Sequence, residues 1–232
     1  MISTYNENTS AVILNKSKAL GASAAGITPA DALRRSPSYE IYGDDQRLFE
    51  NRAVLILALS HRRSEPSLDW WDGKKGTPGN SRLIEITELL IHELFKMFKI
   101  RAHHLPYHVE KGGIFLKDAA VLAGFGIIGK NNLLITPDFG PRVRLRALLV
   151  DAPLKASPPF GFNPCKNCDK PCMRACPQKA FGQGVFTRPL CNRQMKKNER
   201  NAAVVEGKAE TDAFIRIIKY CRACELACPV GK

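Results

Sequence analysis

The eight cysteines constrain this chain more than any other feature. All of them lie from position 165 onward in a sequence of 232 residues. Cys165, Cys168, Cys172 and Cys176 run C-x2-C-x3-C-x3-C and are followed by Pro177. Cys221, Cys224 and Cys228 run C-x2-C-x3-C and are followed by Pro229, with Cys191 alone between the two runs. Short C-x2-C loops let backbone N–H groups face inorganic sulfide while the thiolates grip three corners of a cubane. A cysteine before proline is turned towards a second cluster. The repeated Cys-Pro ending therefore predicts two [4Fe–4S] clusters, whose eight ligands match the eight cysteines. Structural zinc is the alternative, at four ligands per ion, but the Cys-Pro ending has no role in it. A disulfide framework is out of place in a chain with no export signal.

If each cysteine before proline crosses over, as in two-cluster ferredoxin modules, one cluster takes Cys165, Cys168, Cys172 and Cys228. The other takes Cys176, Cys221, Cys224 and, by elimination, Cys191. The formal net charge is +13 with every cysteine neutral. Two oxidised cubanes on eight thiolates would bring it to about +9. A balance of this size suits a nucleic acid, an acidic protein or an anionic ligand, or serves solubility alone.

The residues before the cysteines are of another kind. With 44% apolar residues overall, the chain can bury a real core. Residues 11–20 read as a short amphipathic helix ending at Gly21, and residues 52–59 as a buried strand. Residues 80–98 are the clearest helix, with an Asn or Ser cap and Leu83, Ile86, Leu90, Leu94 and Met97 at helical spacing. Residues 73–79 are a loop, 116–123 a helix, and 133–135 and 143–150 strands. In the last, Val143, Leu145 and Ala147 face one side and Arg142, Arg144 and Arg146 the other. The alternation predicts an α/β domain over residues 1–155. The proline-rich residues 151–162 would be the hinge into a cysteine module over residues 156–232. No apolar run approaches a membrane span. The polar start, MISTYNENTS, has no basic n-region, and the twin Arg34-Arg35 is followed by Ser-Pro-Ser-Tyr rather than an apolar segment. A cytoplasmic protein without a membrane partner is expected.

Gly124, Gly126 and Gly129 in GFGIIGKNN spell a dinucleotide fingerprint, and residues 124–130 spell a P-loop short of its last hydroxyl, replaced by Asn131. Both motifs need a strand before the glycines and a helix after them. Here the predicted order is helix first, strand second, so the helix end at the loop has the wrong dipole for phosphate. The segment is expected to be a tight helix-to-strand turn with close backbone approach.

The segments AAVLAGFGIIGKNNLLI and GPRVRLRALLVDAPL, followed by two cysteine runs with a lone cysteine between, resemble the epoxyqueuosine reductase family. That family stands with the reductive dehalogenases among cobalamin-dependent iron–sulfur enzymes. The resemblance extends from LGASAAGITPA near the start to Cys228. It implies a nitroreductase-like α/β domain that holds cobalamin base-off, joined to a C-terminal ferredoxin-like two-cluster module. Electrons would pass from a donor such as ferredoxin or flavodoxin through the second cluster, the first cluster and cobalt to a small-molecule or modified-base substrate. Gly126, Gly129, Lys130, Asn131 and Asn132 would border the corrin. The arginine row led by Arg142 would meet corrin carboxamides, phosphates or an acidic partner, or form a solvated strand face. Glu110, in YHVEKGG, stands where the family has the Asp that protonates the substrate. A Glu raised by burial can serve as general acid; otherwise it is an exposed loop carboxylate paired with Lys111.

Two departures from the family are visible. Three residues lie between Cys168 and Cys172 where the family has two, an insertion that Pro171 is expected to absorb. The sequence ends at Lys232, where epoxyqueuosine reductases continue into a helical-repeat domain that helps hold tRNA. The expectation is a short relative acting on something other than tRNA, or one completed by a separate RNA-binding subunit. The competing reading is a ferredoxin-like electron-transfer protein without its own cobalamin, serving a partner redox enzyme or corrinoid protein. The five histidines make no metal spacing. Of these, His104 and His108 lie near Glu110, and His92 is an ordinary helix residue. Trp70 and Trp71 are expected to plug a loop.

Overall fold

An unbroken apolar strand such as AVLILALS needs cover on both faces, and the computed structural model supplies it. The structure describes residues 7–36, 50–73, 76–206 and 214–231. The first six residues, the continuation after Ser36 and Lys74-Lys75 of the expected loop lie outside them. The chain order is α1 (Glu7–Ala19), β1 (Ala24–Pro29), β2 (Ala53–Ser60), α2 (Pro78–Phe98), β3 (Ala102–His104), α3 (Leu116–Leu122), β4 (Ile127–Ile128), β5 (Leu134–Ile135) and β6 (Val143–Val150). The cysteine segment adds α4 (Pro171–Arg174), α5 (Arg188–Arg200), β7 (Ala203–Glu206), β8 (Phe214–Ile217) and α6 (Ala223–Leu226).

The main sheet has the order β1-β2-β6-β3, and every neighbouring pair is antiparallel. Leu55 and Leu57 of β2 pack with Leu148 and Val150 of β6 under Ile13 of α1 and Leu83, Leu90 and Leu94 of α2. Val54 and Ile56 point the other way, onto Leu33, Ala119 and Ala120, with Ala147 and Leu149 of β6. The result is a three-layer sandwich with two cores, one on each side of the same sheet. Burying a valine, leucine or isoleucine side chain stabilises by about 1.5–3 kcal/mol, so the eight buried residues of these three types on β2 and β6 dominate the stability of this part.

Six elements, α1, β2, α2, α3, β5 and β6, overlap the segments the sequence predicts, while β1, β3, β4, α5, β7 and β8 were not predicted. Three details differ for identifiable reasons. The long helix starts two residues early: Thr77 caps it by accepting from the Asn80 N–H at 3.3 Å, and Pro78 takes the first helical position, where its missing N–H costs nothing. Met97 lies off the buried stripe and is 46% exposed. The proline-rich segment is no free hinge. Ser157 donates its N–H to the Ile27 carbonyl and accepts the Ile27 N–H on its Oγ, so it is stitched along β1.

Candidate metal centre

The two cysteine runs fold alike. Each contains one short helix, α4 or α6, that carries its central cysteine (Cys172 or Cys224) and ends just before the cysteine that precedes proline. The two helices pack against each other. The N–H of Cys176 donates to the Met173 carbonyl and that of Cys228 to the Glu225 carbonyl, so both turns close in the same way. Just before α4, Lys170 adopts a left-handed conformation (φ 60°, ψ 48°), and Pro171 begins the helix.

All eight cysteines are free thiols. Burial, then the charges of Cys228, Cys165 and Cys168, push the Cys172 thiol up. Burial likewise raises Cys228, which has Cys165 and Cys168 as electrostatic neighbours. In the other group burial and the charges of Cys221, Cys191 and Cys176 push Cys224 up to about 12. Cys191 is raised by burial and by Cys221 and Cys176. Cys165, Cys168 and Cys228 are thus electrostatic neighbours of Cys172, and Cys176, Cys191 and Cys221 of Cys224. Among the described residues no three of His, Cys, Asp and Glu converge tightly enough for a single metal ion.

The glycine segment comes to the edge of this centre. Gly124 (φ 78°) ends α3, and a Cβ there would collide with the Pro158 carbonyl; Gly126 (φ 146°) lies against the Ile135 carbonyl. The sequence missed β4, which lies inside the motif and pairs with β5 as a hairpin. Gly129 donates its N–H to the Leu133 carbonyl across the turn. The buried Asn131 accepts the Leu133 N–H and donates weakly to the Cys224 carbonyl at 3.5 Å. Lys117 donates to both the Asn132 carbonyl and its side-chain oxygen, while Lys130 points to solvent. Both amides expected at a corrin rim are engaged within the chain.

The arginine row is not a solvated face. Arg144 pairs with Asp69, Arg146 donates to Asn80, and Arg142 donates to the carbonyls of Val230 and Gly231. Arg142 is 5% exposed and its Nη1 is buried without a partner among the described residues. Burial, then Arg63, lowers its proton affinity, while the Cys228 charge beside it acts in the opposite sense. It borders an open cavity of about 670 Å3 lined also by His61, Arg62, Arg63, Asp138 and Phe139.

A buried polar latch was invisible in the sequence. Arg222 and Glu225, inside the second cysteine run, pair with each other, and Arg222 also pairs with Asp69. His61 Nδ1 lies 2.8 Å from Asp69 Oδ2 and 2.8 Å from Arg222 Nη2. Burial alone would raise the Asp69 carboxyl, but His61, Arg144 and Arg222 together hold it below its ordinary value. Arg63 adds a bond to the Leu226 carbonyl, and Trp71 bridges to Ile218. Two opposite charges within a ligand loop, with no local apolar partner, were the only available signal. Trp70 carries Lys219 over its ring at 4.1 Å, so the tryptophans receive the cysteine segment instead of plugging a loop of their own.

Glu110 stands apart. Its side chain is 74% exposed, in a short 3-10 turn (Val109–Lys111), 3.4 Å from His108 rather than beside Lys111. His104 is exposed too, with Thr87 3.3 Å from its ring, and His92 is exposed on α2.

The sandwich with its appended cysteine runs is a mixed α/β fold with counterparts among solved structures. By sequence and fold the chain is related to the epoxyqueuosine reductases and the reductive dehalogenases. It is 32% identical over 121 residues to tetrachloroethene reductive dehalogenase of Sulfurospirillum multivorans, covering 49% of this chain and 23% of that protein. It is 27% identical over 206 residues to epoxyqueuosine reductase of Gloeobacter violaceus, covering 75% of this chain and 61% of that one. Its fold matches Bacillus subtilis epoxyqueuosine reductase with a TM-score of 0.67 at 19% identity, over 97% of this chain and 66% of that one. It also matches a catabolic reductive dehalogenase bound to 3-bromo-4-hydroxybenzoic acid with a TM-score of 0.68 at 18% identity, over 100% of this chain and 33% of that one. The chain spans less than two thirds of the length of these curated relatives. No protein-family profile matches it. No described helix is long and apolar enough to cross a membrane.

Proposed function

We propose that this chain is an iron–sulfur oxidoreductase that relays electrons through two [4Fe–4S] clusters to a bound cobalamin, which reduces the substrate. What supports the first half is the electrostatic neighbourhood of the eight free thiols, Cys172 with Cys165, Cys168 and Cys228, and Cys224 with Cys176, Cys191 and Cys221. In this reading residues 156–232 form a ferredoxin-like module. Cys165, Cys168, Cys172 and Cys228 hold one cluster and Cys176, Cys191, Cys221 and Cys224 hold the other. Each cluster, when bound, accepts and releases one electron. The chain itself supplies the ligands, a half-buried setting for them, and the polar latch that fixes the second run against the sheet.

The relatives favour cobalamin: one structural neighbour, with a TM-score of 0.57 at 20% identity, is a reductive dehalogenase for which B12-dependent dehalogenation is described. The open cavity bordered by Arg142 and lined also by His61, Arg62 and Arg63 offers donors to such a ligand. Glu110 would act as proton donor if its turn moved inward; the B. subtilis enzyme was solved with its catalytic loop swung out of the active site. Epoxyqueuosine reductase has also been solved with a tRNA stem loop, which keeps a modified base among the substrate classes. A second reading, electron transfer without its own corrin, is favoured by the exposure of Glu110 and the engaged amides of Asn131 and Asn132.

Anaerobic reconstitution with iron, sulfide and cobalamin tests these readings. About eight iron atoms per chain are expected, with loss of one cluster in Cys191→Ser by iron count and EPR. Zinc in place of iron and sulfide in protein isolated anaerobically would sink the cluster reading. A corrin spectrum that does not survive desalting would favour the second reading. Glu110→Gln should abolish turnover while retaining cobalamin; unchanged turnover removes Glu110 from the mechanism.

A further inference from the structure

Helix α5 separates two kinds of side chain. One side faces the cysteine module. There Cys191 lies among Cys176, Cys221 and Cys224, Gln194 accepts from Gln178, and Asn198 Oδ1 accepts the Cys221 N–H at 3.1 Å. On the opposite side stand Arg193, Lys196, Lys197 and Arg200. At 3.6 residues per turn these four fall within about 100° of arc, centred opposite Cys191 and Asn198. All four are exposed, and none has an ion-pair or hydrogen-bond partner among the described residues. No acidic residue of α5 shares their face, because Glu199 turns aside to accept from Tyr220. Beside the end of α5, Arg216 of β8 donates to the Glu199 carbonyl and so holds the β7–β8 hairpin against it. That hairpin presents Val204 and Phe214, each 66% exposed.

We propose that this basic stripe, together with Phe214 and Val204, is the docking face for an acidic one-electron carrier protein of the flavodoxin or ferredoxin type. The inference rests on the two-cluster reading and adds to it where, and by what chemistry, the donor arrives. Four unpartnered cations on one face attract an acidic partner and raise its rate of encounter. Two exposed apolar side chains at the margin give the contact a dehydrated patch, as small electron-transfer interfaces require. The stripe is separated from Cys191 only by the body of the helix, roughly 10 Å across, so a carrier seated there brings its redox group next to the second group of thiols. One electron leaves the reduced carrier and one enters the cluster held by Cys176, Cys191, Cys221 and Cys224; no bond breaks and no proton moves. An RNA is the less fitting occupant. The stripe runs only about 11 Å along the axis, short for a groove that tracks a phosphate backbone, and RNA binding would make no use of the thiol behind it.

The test compares the reconstituted chain with two charge-matched double variants, Arg193→Glu with Lys197→Glu on the stripe, and Lys18→Glu with Lys96→Glu on exposed positions of α1 and α2. Reduced flavodoxin is mixed with each, cluster bleaching is followed by stopped flow, and binding of oxidised flavodoxin is followed by calorimetry, both at low and high potassium chloride. The stripe variant should lose about tenfold or more in second-order rate and in affinity at low salt, and converge with the parent at high salt. The control variant should lose less than about twofold. Dithionite, a small reductant that needs no docking face, should bleach all three at equal rates. Equal loss in both variants, or no loss in the stripe variant, overturns the proposal. So does loss of tRNA affinity in the stripe variant with flavodoxin kinetics unchanged. Absence of any dithionite-bleachable cluster in the parent overturns the two-cluster reading itself, and this inference with it.

Discussion

The sandwich and the cysteine segment are held by different forces. In the sandwich, β2 and β6 bury leucine, isoleucine and valine on both faces, and the helices exist largely to cover them. In the cysteine segment the buried side chains among the described residues are Cys172, Ala180, Phe181, Ile218 and Cys228, and α5 has none. A segment of this length with so little apolar burial cannot offset its chain entropy by the hydrophobic effect alone. On the proposed reading its order depends on the clusters its thiols would hold, together with the polar latch to the sandwich. One part is stable by its own composition, the other conditionally.

That contrast can be broken most severely by removing metal. Chelation of the reconstituted protein should release protection of backbone amides around Cys165–Cys176 and Cys221–Cys228 in hydrogen exchange, while those of Ala53–Ser60 stay protected. Equal protection in both states would mean that the cysteine segment stands without its clusters. Next in size is Asp69→Asn, which leaves Arg222 and Arg144 buried against a neutral amide; a loss of about 3–5 kcal/mol is expected, concentrated in the cysteine segment. Since Asp69 is held below its ordinary range, this difference from the parent is full above that range and closes only as the pH falls through the lowered native value. Thermal melts of the parent and variant at a series of acidic pH values check the sign. Leu90→Ala should cost the sandwich about 3 kcal/mol in urea unfolding yet leave iron content per folded molecule unchanged. The smallest effect belongs to Asn131→Ala, about 1 kcal/mol, read as faster exchange in the hairpin turn next to Cys224.

The sequence was most legible where one physical term dominates. The run AVLILALS could only be a covered strand, and the spacing of Leu83, Ile86, Leu90 and Leu94 could only be a helix stripe. The order of helix, glycines and strand was enough to set aside nucleotide binding, even though β4 inside the motif went unseen, since two residues carry no periodicity. The arginine row was read by its alternation correctly and by its environment incorrectly. Strand period says which side Arg144 and Arg146 take, but not that Asp69 and Asn80 wait there, 75 and 66 positions away in sequence. The same holds for His61, which looked solitary because its partners Asp69 and Arg222 come from a turn eight residues on and from inside a cysteine run.

By itself the sequence determined the number and spacing of the thiols, the two-sided strand and the turned-round glycine motif. Each of these follows from spacing along the chain, which fixes local geometry. The tertiary structure decided the rest. It showed which amides are already engaged, that the expected hinge is stitched to β1, and that Glu110 lies out in solvent. It also set four lysines and arginines of α5 in one stripe directly behind a candidate cluster ligand. Those are relations between distant segments, and only the packing of the whole chain brings such segments within reach of one another.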